Sequence, residues 1–130
     1  MIPENKLNEK AFSILIPHAS SALKLSDWQI KEKFSLYPVC VSDYYEKEKR
    51  KKFIEIWFNA EETSLICLFD INCRCNSAFI CPDFPDTLTH YADYFNSIYE
   101  YDYIRCKWVL PDGRLSLKKL KDGICFMIDY

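Results

Sequence analysis

Apolar residues recur along this chain at two spacings: every third or fourth position near its start and middle, and every second position elsewhere. The first spacing marks helices, which turn by about 100° per residue, and the second marks strands, whose side chains alternate between two faces. Leu7, Ala11, Ile14 and Leu15 predict a helix from Asn5 to Ile16, capped by Asn5 and ended by Pro17. Ser26 followed by Gln29 is a capping-box pattern, and Ile30, Phe34 and Tyr37 continue one face up to Pro38, so a second helix is expected over about 27–36. Leu88, Tyr91, Ala92, Phe95, Ile98 and Tyr99 define a third face and predict an inserted helix over about 86–100. It should begin near Asp86, where Asp-Thr after Pro85 offers a side-chain oxygen to the first free backbone amides.

The remaining segments read as strands. Val39 to Tyr45, the charged run Glu46 to Lys52 and then Phe53 to Phe58 suggest a hairpin with a charged loop. Phe53 to Phe58 is apolar on both faces, which predicts an inner strand covered on each side. Ser64 to Ile71 and the shorter Ala78 to Cys81 follow, separated by turn material at Asn72 to Asn76. Past the inserted helix, Ile104, Cys106, Trp108 and Leu110 alternate with Tyr103, Arg105, Lys107 and Val109, as in a strand with one wet face. Asp112-Gly113 and Asp122-Gly123 are hairpin signals on either side of Leu115 and Leu117, and lead into Ile124 to Tyr130. Together these elements predict an α+β fold, an antiparallel meandering sheet of five to seven strands with two N-terminal helices and one inserted helix.

A chain of 130 residues is expected to form a single domain over 1–130. With 49% hydrophobic and 16% aromatic residues it can fill a core, which excludes wholesale disorder. The net charge of -2 and pI near 5.7 argue against a general nucleic-acid binder. Met1 to Lys6 lacks a signal-peptide pattern, and no apolar run approaches the roughly 20 residues of a membrane span, so a cytoplasmic location is expected. Seven cysteines, odd in number and without a framework spacing, fit reduced thiols.

Little in the sequence points to catalysis. Both glycines fall in Asp-Gly turns, so neither a phosphate-cradling loop nor a glycine-flanked nucleophilic serine is available. His18 or His90 beside a thiol would be needed for a thiol enzyme, and Cys67, Cys73, Cys75 and Cys81 for zinc, although their spacing is poor for a structural site. The expectation is therefore no enzyme, no cofactor and no metal. Lys47, Lys49, Arg50, Lys51 and Lys52, preceded by Tyr44 and Tyr45, form the one cluster suited to nucleic acid; a regulatory module using it is one alternative reading, and a thiol or zinc enzyme is the other.

What stands out is Cys75 to Ile104, thirty residues without lysine or arginine. On a helix, Asp86, Asp93 and Glu100 are seven apart and fall near one line, about 10 Å between successive carboxylates. His90, Tyr94 and Tyr101 flank that line, so these six residues predict a surface that engages a basic protein partner. In size, acidity and aromatic content the whole chain resembles the small bacterial immunity proteins that neutralise toxins, including those of contact-dependent inhibition systems. That resemblance implies a non-enzymatic inhibitor whose partner is a basic toxin domain, such as a nuclease. It rests on general style, with no motif matched, so it assigns no functional residue.

Overall fold

The computed structural model describes residues 15–58, 62–111, 113–120 and 123–129. Helix α1 covers 15–22 and α2 covers Asp27–Lys33. Strands β1 (Val39–Glu46), β2 (Lys49–Phe58), β3 (Thr63–Phe69) and β4 (Cys75–Pro82) follow, then helix α3 (Pro85–Ile98). Strands β5 (Glu100–Asp102), β6 (Lys107–Leu110), β7 (Gly113–Leu120) and β8 (Gly123–Asp129) complete the order. All eight strands join one antiparallel sheet, ordered β1-β2-β3-β4-β8-β7-β6-β5.

The α+β fold with an antiparallel sheet is as expected, but the sheet has eight strands instead of five to seven. The extra strand is β5, formed by Glu100–Asp102 where the inserted helix is expected to end, and the expected strand Tyr103 to Leu110 is half turn. Asp102 Oδ1 accepts the amides of Ile104 (3.0 Å) and Arg105 (3.2 Å), which closes a local turn before pairing can begin. Cys106 completes the turn at φ 56°. The charged run is likewise strand, not loop: Glu46 pairs with Lys49, which leaves a two-residue turn at Lys47-Glu48.

Helix boundaries follow the same contest between local pattern and wider pairing. The capping box of α2 forms as read, with Ser26 Oγ accepting from Gln29 N (3.2 Å) and Gln29 Oε1 accepting from Ser26 N (2.9 Å). Pro17 lies inside α1 instead of ending it, because a proline's missing N–H and its steric clash both concern the turn before it. The expected face of Leu7, Ala11 and Ile14 lies outside the described residues. Helix α3 starts one residue early: Phe84 is the N-cap, makes no side-chain cap bond, and Pro85 takes the first turn. It also ends early, since Tyr99 is extended at ψ 146° and Glu100 enters β5.

All three helices cover one face of the sheet. Ile54 and Ile56 of β2, Leu65 and Cys67 of β3, Ile80 of β4 and Phe126 and Ile128 of β8 are buried on it with Leu15, Ile30, Phe34, Tyr91 and Phe95 of the helices. Phe95 anchors α3, edge-on to Phe126 at 4.9 Å and to Trp108 at 5.7 Å. Burying one such side chain contributes roughly 1.5–3 kcal/mol. Two polar links fix the helix on the sheet: the buried pair Tyr91 Oη with Thr63 Oγ1 at 2.9 Å, and, part-buried, Trp108 Nε1 donating to Asn96 Oδ1 at 2.8 Å.

Candidate functional site

Strand alternation sends every second residue to the face the helices leave uncovered. Phe53 and Glu55 of β2, Ser64, Ile66 and Leu68 of β3, Phe79 and Cys81 of β4 and Cys125 of β8 all belong to that set, and with Tyr44 of β1 they line a groove of about 510 Å³. Pro82, Asp83, Gly123 and Ile124 complete its lining. Gly123 stands at φ +151°, a conformation side chains resist, although an added Cβ would meet nothing within 4 Å. Its role there is set by backbone geometry, not by space.

The groove is apolar with an acidic accent. Among the described residues, its carboxyl groups are Glu55 and Asp83, and its lining includes no lysine, arginine or histidine. Glu55 accepts a short hydrogen bond from the half-exposed Trp57 indole, which holds the carboxylate in place. Beyond the rim, Phe84 adds an exposed ring.

The residues expected to form an acidic ridge do not share one line. Asp86 and Asp93 are exposed on α3, but Glu100 is a strand residue paired with Val109. Its neighbour Tyr101 packs on the helix-covered core beside Trp108 (5.1 Å), so the Glu100 side chain is directed to the opposite face of the sheet. Tyr94 and Tyr101 are half-buried, and their rings pack against Phe95 and Trp108 respectively. His90 is half-buried on α3. Ile98, expected on the core face, is about half exposed at the helix end.

The basic cluster is divided by the pleat of β2. Arg50 pairs with Asp43, and Lys52 Nζ lies 2.6 Å from Asp27 Oδ2, which ties β2 to α2. That hydrogen bond holds the Asp27 carboxyl below its ordinary pKa and raises the Lys52 ammonium above its own. His18 is stacked on Phe58 at 5.6 Å and edge-on to Phe34. Among the described residues, no three His, Cys, Asp or Glu side chains converge as a metal site, so Cys67, Cys73, Cys75 and Cys81 do not gather into one ligand set.

The groove residues escaped the sequence reading although their signal was present. The run Phe53 to Phe58, apolar on both faces, predicts a strand covered on each side; here one face is core and the other an open groove. No family model, curated protein or solved structure matches the chain.

Proposed function

We propose that the protein acts by binding, and that its partner is a protein presenting a basic side chain among apolar ones, seated in the groove of the open sheet face. The observation that carries this reading is the lining itself: aromatic and aliphatic walls with Glu55 and Asp83 as the charged groups and, among the described residues, no cation. Such a surface favours a lysine or arginine whose stem lies on apolar walls, and disfavours an acidic segment. Asp86 and Asp93, exposed on α3, add negative potential that steers a basic partner toward the molecule. This is the work of a toxin-neutralising immunity protein, non-enzymatic and directed at a basic toxin domain. The nucleic-acid alternative through residues 47–52 draws less support, because Arg50 and Lys52 are occupied by Asp43 and Asp27.

Trp57 supplies the readout, since its indole is bonded to Glu55. Titration of Trp57 emission with a short peptide carrying arginine between leucine and phenylalanine should saturate, and the same peptide with glutamate for arginine should not. Glu55→Gln with Asp83→Asn should weaken the first peptide by about tenfold, the equivalent of about 1.4 kcal/mol. Equal binding of both peptides, or none of either, removes the groove from the function.

A further inference from the structure

Four of the seven cysteines lie in two neighbouring pairs, Cys67 with Cys75 and Cys81 with Cys125. The first pair is sealed in the interior, with neither residue more than 1% exposed. The second pair lines the groove. Its geometry follows from the ladder between β4 and β8, which runs Ala78↔Ile128, Phe79↔Met127, Ile80↔Phe126. One more step in that register sets Cys81 opposite Cys125. Directly opposed residues of antiparallel strands have Cα atoms about 4.5–5.5 Å apart, within the roughly 4.4–6.8 Å that disulfides span.

We propose that Cys81 and Cys125 form a reversible dithiol–disulfide site in the groove, oxidised by peroxide or by a small disulfide. Cys125 is the attacking sulfur, its thiol held below the ordinary pKa by the neighbouring Cys81 side chain. Cys81 is pushed up by its side-chain interaction with Cys125, then by burial and by the charges of Cys125, Glu55 and Asp83, and its S–H donates to Phe79 O at 3.9 Å, so it keeps its proton while Cys125 reacts. The Cys125 thiolate attacks one oxygen of hydrogen peroxide, the O–O bond breaks, and hydroxide leaves a sulfenic acid on Cys125. The Cys81 sulfur then attacks the Cys125 sulfur, the Cys81 proton is lost, and the sulfenic oxygen departs as water. The two sulfurs lose two electrons in all, and peroxide is reduced to two waters. A small thiol reverses the step by exchange. The new bond would lengthen the link between β4 and β8 by one position beside the groove.

The site stands independently of what the groove binds, because its test reads sulfur and not partner affinity. Reduced wild-type protein is treated with one equivalent of hydrogen peroxide, quenched with iodoacetamide and mapped by peptide mass. The expected product is a Cys81–Cys125 cross-link that forms before any other, disappears with dithiothreitol and leaves Cys67 and Cys75 unlinked. Cys81 and Cys125 both alkylated while Cys40, Cys73 or Cys106 are oxidised would overturn the proposal. In Cys81→Ser, dimedone should trap a sulfenic acid on Cys125, and in Cys125→Ser labelling of Cys81 should be at least tenfold slower. Equal labelling of the two variants refutes the assigned roles, and the wild-type map decides the pair even where a variant fails to fold.

Discussion

Lys47 and Glu48 hold left-handed backbone conformations, φ 51° and 66°, at the two central positions of the β1–β2 turn. That turn shape favours Asn-Gly, because asparagine and glycine enter it with least strain. Replacing Lys47 with Asn and Glu48 with Gly should therefore stabilise the protein by roughly 1 kcal/mol, seen as a higher urea midpoint at unchanged slope. The same two residues explain why the hairpin was legible in the sequence and its length was not. Without Asn-Gly, the alternating charges of Glu46 to Lys52 look like loop, although Lys49, Arg50, Lys51 and Lys52 all pair with β1. A second residue-scale consequence concerns pH. The folded-state pKa of Asp27 lies below its ordinary 3.8, so its contribution is complete above 3.8 and is lost as pH falls through the lower folded value. Lys52 is shifted above its ordinary 10.5, so its contribution is complete below 10.5 and fades as pH rises through the higher folded value. Both groups are partly exposed, which limits the pair to below about 1 kcal/mol. Asp27→Asn should cost that amount throughout the neutral range, and its stability should converge with the parent's in strong acid, as acid titration of the denaturation midpoint would show.

Helix α3 shows which properties of an element periodicity fixes. Tyr91 and Phe95, placed on its inner face by spacing alone, are fully buried, whereas the expected end at residue 100 fails. Tyr99 turns extended because the chain must reach the sheet edge and pair Glu100, Tyr101 and Asp102 with β6. Pairing with distant residues is not written in the helix's own period, and the same change carried Glu100 away from Asp86 and Asp93. The start of α3 is open to improvement. Phe84 is 55% exposed and gives the helix no side-chain acceptor, so Phe84→Asp should add a cap and a favourable charge at the dipole's positive end. A gain of about 1 kcal/mol in denaturant unfolding is expected, with little core packing lost.

At the scale of the molecule, helix followed by a four-stranded meander occurs twice, and β4 against β8 is where the two sets of strands join. Phe126 stands at that junction, with ring contacts to Tyr91, Phe95 and Trp108 and its backbone opposite Ile80. Phe126→Ala should cost about 3–5 kcal/mol and lower a single unfolding transition, since both meanders share the core it fills. Separate transitions for the two meanders would contradict a shared core. The sequence showed neither the doubling nor the junction, because alternation tells which way a side chain faces but not which strand lies beside it. The groove draws walls from β1 to β4 on one side of the junction and from β8 on the other. An occupant there would clasp both meanders and be released when either let go, so occupancy would register as heat resistance. A saturating compound at one hundred times its dissociation constant would add about 2.7 kcal/mol, which makes a melting screen of cationic, apolar peptides a direct way to find what this surface recognises.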